Sequence, residues 1–307
     1  MRRLTVLCCL CLSMLVRAEG GTDPAEISAE GQEEAFADAP ADLPAQVPGE
    51  APPGPSSTRG LMQEQALERQ LPGQQQRRLD IGAQAYLGLY LPAARPQPLG
   101  GVLLIADRGE HADWPQITGP ARQLLSEAGW HTMAISLPDM PEPDTRLQPE
   151  QREARAAAYG RQAVERIQAA GQVLAAEATV NGRQQPLAFL GRGEGAYWAL
   201  SAALDNSDQA PQGLILFDMH DALFATSKSN LLLEQWDAPV YEILPATGRA
   251  GSDVAHERHL LGKRMGNTGY AQLVLAQPDY SEQGQQILIK RLDGWLQRAL
   301  LDQRNPR

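Results

Sequence analysis

From residue 101 to 302 the sequence switches repeatedly between short runs of unbroken apolar residues and longer stretches with a 3.6-residue apolar period. The runs are GVLLIA (101–106), HTMAIS (131–136), PLAFLG (186–191), GLILFD (213–218), PVYEIL (239–244) and AQLVLA (271–276). Helical periods lie near 117–128, 150–177, 194–205, 228–236, 252–264 and 283–302. A strand that is apolar without alternation is covered on both faces, and strand–helix alternation requires parallel pairing through right-handed crossovers. The expectation is one α/β domain over residues 76–303, with a doubly wound, mostly parallel sheet. QAYLGLYL (84–91) alternates instead, and with RRLDIG ahead of it predicts an antiparallel N-terminal edge. In the last helix Ile287, Ile289, Leu292, Leu296 and Leu300 share a face, and Trp295 reads as core.

The N-terminal quarter is built differently. Arg2 and Arg3 precede a thirteen-residue apolar run, Leu4 to Val16, and then Val16-Arg17-Ala18. This is the layout of a secretory signal over 1–18, and the run is short of the roughly 20 residues of a membrane-spanning helix. The expected product is periplasmic or secreted, without a transmembrane anchor after cleavage. All three cysteines lie inside the signal, so the remaining chain has no thiol for a disulfide or a metal. Residues 19–75 are rich in Ala, Pro, Glu and Gly, with nine acids and no base between Glu19 and Thr58. Such a segment lacks the apolar surface to offset its chain entropy and reads as a disordered acidic tether, within which 61–71 has a short amphipathic period. The formal charge of -10 is concentrated there: residues 59–307 hold 28 acids against 24 bases. Nucleic acid is therefore not an expected partner.

In open α/β sheets the functional crevice lies beyond the carboxyl ends of the strands. There, AFLGRGEGAYWAL (188–200) fits a strand, a sharp turn and a helix, with Gly191 and Gly195 letting the backbones pass closely. The outline is that of the G-x-S-x-G nucleophile elbow, with Gly193 at the serine position. An elbow often needs positive φ, which costs serine about 1–3 kcal/mol and glycine little. With ADRGEH (106–111), ADWP (112–115), GW (129–130), SLPD (136–139) and GW (294–295), the chain resembles a proteobacterial family of secreted α/β-hydrolase-like proteins of unassigned function. The resemblance covers 76–303 and implies an α/β-hydrolase-type fold. It also implies an oxyanion-hole arrangement from the amides of Gly109 and Glu194. Only MHDALFATSKSNLLLEQWDA separates GLILFD from PVYEIL, so no large lid is expected, only a small cover near Leu231 to Trp236.

The loop after the last strand, QPDYSEQGQQ, has no histidine where the resemblance implies the third triad member. The histidines are His111, His131, His220, His256 and His259. His256 and His259 are three apart on a helix but stand among Arg249, Asp253, Glu257, Arg258, Lys263 and Arg264, which reads as a solvated face; no metal and no cofactor are expected. Asp107, Arg108, His111, Arg192, Glu194, Asp218 and His220 converge if the fold is right, either as internal salt bridges or as a pocket. In a pocket Arg108 and Arg192 would clamp an anion and Trp114 would form a platform. The leading expectation is a binder of a small ligand or envelope protein without serine-hydrolase activity. The alternative is an active hydrolase with His111 or His220 as base and Asp107 or Asp218 as its acid.

Overall fold

The computed structural model describes residues 58–301, apart from 83, 142, 143, 206–209, 226 and 268. The strands are β1 (Gln76–Ile81), β2 (Gln84–Leu91), β3 (Gly100–Ile105), β4 (Trp130–Ile135), β5 (Thr179–Val180), β6 (Arg183–Gln184), β7 (Leu187–Arg192), β8 (Gly213–Phe217), β9 (Val240–Pro245) and β10 (Tyr270–Leu275). The helices are α1 (Thr58–Gln70), α2 (Thr118–Ala128), α3 (Pro149–Glu177), α4 (Glu194–Asp205), α5 (Ser229–Leu233), α6 (Gly248–Met265) and α7 (Glu282–Leu296). Eight strands form one sheet in the order β1-β2-β4-β3-β7-β8-β9-β10. β2 runs antiparallel to both β1 and β4, and every pairing from β4 to β10 is parallel. This is the doubly wound, mostly parallel α/β architecture with an antiparallel N-terminal edge.

The continuous apolar runs fill both faces of the sheet. In β3, Leu103 and Ile105 join the core beneath α3 and α4, while Val102 and Leu104 join the one beneath α2 and α7. Successive side chains of a strand point to opposite faces, so a centre strand must be apolar at every position. β10 departs from this expectation: five of its six residues are half-buried and Val274 is exposed, because it is the sheet's edge. The space between α3 and α4 depends on Gly160, where an added Cβ would lie 2.9 Å from the Trp198 ring. Trp295 is core, as the sequence predicts, and Tyr197 and Trp198 are both core as well. The β5–β6 hairpin turns through Asn181 and Gly182, both at positive φ, the pair that a two-residue turn favours.

Two sequence expectations need correction. The tether is too long at its C-terminal end, since residues 58–70 form α1 and its Leu67 is buried in the α2/α7-side core. Glu64 on the same helix pairs with Arg78 at 3.4 Å and with Arg166 at 4.0 Å. At the head of α1, Arg59 Nη2 donates to the Gly109 carbonyl at 3.0 Å and the Gly60 amide to Asp139 Oδ2 at 2.9 Å. The expected signal over 1–18 and the rest of the expected tether, residues 19–57, lie outside the described residues. The second correction concerns α6, where His256 and His259 are exposed but Arg258 is buried. Its guanidinium lies 3.2 Å from Glu242 Oε1, a fully buried carboxylate on β9 that also accepts from the Tyr270 hydroxyl at 2.5 Å.

Candidate functional site

The turn from β7 into α4 is as tight as the glycine spacing predicts. A Cβ on Gly191 would lie 2.4 Å from Ala196 Cα, and one on Gly195 would lie 2.4 Å from the Ala106 carbonyl oxygen. Between them Gly193 adopts φ +55° and donates its amide to the Phe217 carbonyl at 2.9 Å. What faces Gly193 is the carboxylate of Asp107, from the loop after β3: a Cβ built on Gly193 falls 2.2 Å from its Cγ and 2.3 Å from each oxygen. The space into which a side chain at 193 would project is filled from across the cleft.

Asp107 Oδ1 accepts from two main-chain amides on different loops, Arg108 at 2.7 Å and Glu194 at 2.9 Å. The second belongs to the first turn of α4, where unpaired amides and the helix dipole favour a negative charge. Among the described residues Oδ2 accepts no hydrogen bond. The two amides brought together are thus those of Arg108 and Glu194, not of Gly109 and Glu194 as expected. Gly109 sits at φ +77°, and its contact is the carbonyl bond to Arg59.

Both candidate anion-clamping arginines are engaged internally. Arg108 Nη1 lies 3.1 Å from Glu194 Oε1, which also accepts the Leu223 amide at 3.1 Å. Arg192 pairs with Glu110, and its other terminal nitrogen reaches Gln116 Oε1 at 3.5 Å. The Glu194 side chain is 3% exposed, and its Oε2 has no hydrogen-bond partner among the described residues. Burial pushes its carboxyl above the usual range, opposed by Arg108, the Leu223 amide and His220.

On the other side of Gly193, Asp218 leaves β8 at φ +54°, a left-handed conformation that is unfavourable for a side chain other than glycine's. Its carboxylate is exposed at the rim and has no hydrogen-bond partner among the described residues. Loss of hydration and the Asp107 charge raise its pKa, while His220 and Arg192 act the other way. His220 is exposed, and its Nδ1 lies 3.1 Å from the Asp218 carbonyl. His111 turns elsewhere: its Nδ1 accepts the Asp113 amide at 3.2 Å and its ring meets Trp114 edge-on at 5.3 Å. Burial lowers the His111 pKa, with Asp113 opposing. Gln285, at the head of α7, ties two rim loops together by accepting from Ile117 N at 2.8 Å and donating to the Tyr280 carbonyl at 2.9 Å.

A family model described as a protein of unknown function (DUF3530) matches residues 4–163 and 144–298. The chain belongs to this family. No curated protein matches the DUF3530 chain. Among solved structures, the esterase Pf2001 of Pyrococcus furiosus superposes with TM-score 0.54 at 10% identity, over 73% of this chain and 92% of that one. Est1E from Butyrivibrio proteoclasticus gives 0.53 at 10% identity, over 73% and 98%. An α/β serine hydrolase homologue from Coxiella burnetii gives 0.52 at 12% identity, over 73% and 97%. At such identities the likeness carries the α/β-hydrolase fold, and fold alone does not carry activity.

In this DUF3530 domain, then, Asp107, Arg108, Gly193 and Glu194 are in direct contact, and Arg192, Asp218 and His220 border them. His111 and Trp114 form a separate pair on the loop after β3. Sequence reasoning missed Glu110, the partner of Arg192, and Gln285. Glu110 was legible as the acid of the DRGE turn. Gln285 was not, because its partners lie in loops 165 or more residues away as well as nearby.

Proposed function

We propose that this chain is an exported α/β-hydrolase-fold protein that does not perform serine-hydrolase chemistry and uses its cleft to bind a small ligand or an envelope partner. The observation that carries the reading is the Asp107 carboxylate over Gly193. It fills the volume of an elbow side chain and takes up the Arg108 and Glu194 amides, the donors that would otherwise stabilise an oxyanion. The loop after β10 supports it, since residues 276–281 contain no histidine. So does the engagement of His111: neither it nor His220 is hydrogen-bonded to a hydroxyl among the described residues. Export rests on the sequence of residues 1–18. Purified protein is expected to show no stoichiometric labelling by a fluorophosphonate and no turnover of short acyl esters, and a reporter fused after residue 18 should appear in the exported fraction. Clean labelling at one residue would end this reading.

A further inference from the structure

The free edge of the sheet is β10, and its ladder to β9 uses every second residue. Val240 N donates to the Gly269 carbonyl at 3.1 Å and Ala246 N to the Leu275 carbonyl at 2.9 Å, so residues 269, 271, 273 and 275 are bonded toward β9. The N–H and C=O groups of Gln272 and Val274 therefore point off the sheet, and neither amide has a partner among the described residues. Edge strands are ordinarily blunted by a charge, a proline or a bulge. YAQLVL has no charge and no proline, and all six residues keep unbroken register with β9. Cations flank this edge on both faces instead. On the α6 face a groove of about 450 Å³ is lined by His259, Gly262, Lys263, Tyr270 and Gln272. Its depth depends on Gly262, where a Cβ would lie 2.4 Å from the Tyr270 ring. On the other face Arg291 of α7 and Arg298 just beyond it are the charges that act on Tyr241, which neighbours Ala271 across the ladder. Lys263, Arg291 and Arg298 form no ion pair among the described residues, whereas Arg258 and Arg264 are matched by Glu242 and Glu234. Glu257, between the two histidines of α6, turns toward α5, where Asn230 Nδ2 donates to it at 2.6 Å.

We propose that β10 receives an extended, acidic segment of a partner protein as a ninth strand. Main-chain bonds to Gln272 and Val274 supply the affinity, and carboxylates that meet Lys263 on one face or Arg291 and Arg298 on the other select the partner. A second copy of this chain would bring like cations together along the same edge, which an acidic strand does not. The surface is three strands away from β7, so it is separate from the cleft at Gly193.

The test titrates the full chain into two labelled decapeptides, one alternating Glu and Thr, the other Lys and Thr, with fluorescence anisotropy as the readout. The Glu peptide is expected to bind saturably and to slow amide exchange at Gln272 and Val274, and the Lys peptide is not. Val274→Pro removes an amide that the sheet does not use, so it should leave the urea midpoint in place and weaken binding at least tenfold. Lys263→Glu with Arg291→Glu, both at exposed positions, should weaken the Glu peptide by a similar factor and admit the Lys peptide; this variant keeps the test valid if Val274→Pro does not fold. Equal binding of the two peptides, no saturable binding of either, or unchanged binding by folded Val274→Pro overturns the proposal. So does a dimer in sedimentation that Val274→Pro dissolves, because the occupant of the edge would then be a second copy.

Discussion

Replacing Gly193 with alanine probes the contact on which the functional reading rests. The residue sits at φ +55°, where an L side chain costs about 1–2 kcal/mol. The new Cβ would also fall 2.2 Å from Asp107 Cγ, so the carboxylate must leave. Its departure gives up two hydrogen bonds from main-chain amides to a charged acceptor, at 2.7 and 2.9 Å, each worth about 1.5–3 kcal/mol. Water can reach part of the site, which reduces each bond to about 1–1.5 kcal/mol, so Gly193→Ala should cost about 3–5 kcal/mol. Asp107→Ala alone loses the same two bonds, about 2–3 kcal/mol. In the double variant the bonds are lost once and only the backbone strain is added. The double-mutant cycle should therefore show a coupling of about 2 kcal/mol, with the double variant more stable than the two single costs imply. Urea unfolding at constant m-value measures all four corners. Costs that add within about 0.5 kcal/mol would refute the reasoning, because they would mean that Asp107 and position 193 do not compete for one volume.

Three further perturbations follow from the same geometry. Arg258→Ala leaves Glu242 buried without its cation and should cost about 3–5 kcal/mol, while Arg258→Met with Glu242→Leu should recover most of it; a double variant as unstable as the single in urea unfolding would contradict this. Burial raises the Glu194 carboxyl pKa in the folded state, so between the ordinary glutamate value and the raised one the folded chain holds more protons than the unfolded chain. Stability therefore falls as pH rises through that window, and Glu194→Gln should reduce the slope in a pH series of urea midpoints; an unchanged slope would refute the assignment. Gln285→Leu removes the acceptor of the Ile117 amide, a residue held at φ +67°, and should cost about 1–3 kcal/mol with faster amide exchange confined first to 107–117; uniform exchange across the sheet would count against the local role.

The sheet was legible because its centre strands leave no freedom in residue type. GVLLI and WHTMAI are buried at every position, and such runs have few other solutions than parallel strands covered on both sides. β10 carries a similar apolar run yet ends at the edge, since sequence gives a strand's character and not its neighbours. The glycines of the elbow were legible for the same steric reason, as two of the three would meet backbone atoms if they bore a side chain. What could not be read was which acid answers which base. Arg108 and Arg192 have acids within a few residues in sequence, but the pairing with Glu194 and Glu110 depends on how two loops face each other across β3 and β7. Arg258 looked like one charge among many on α6. Only the placement of Glu242 on the facing strand sends it inward.

The two contacts at the head of α1 have a mechanical consequence. Arg59 holds the backbone of the loop that carries Asp107, and the Gly60 amide holds Asp139 in the loop after β4. A load applied to the chain ahead of residue 58 would be delivered to the lip of the cleft before it reached the sheet. A pull on the head of α1 therefore reaches, through Arg59, the loop whose Asp107 faces Gly193.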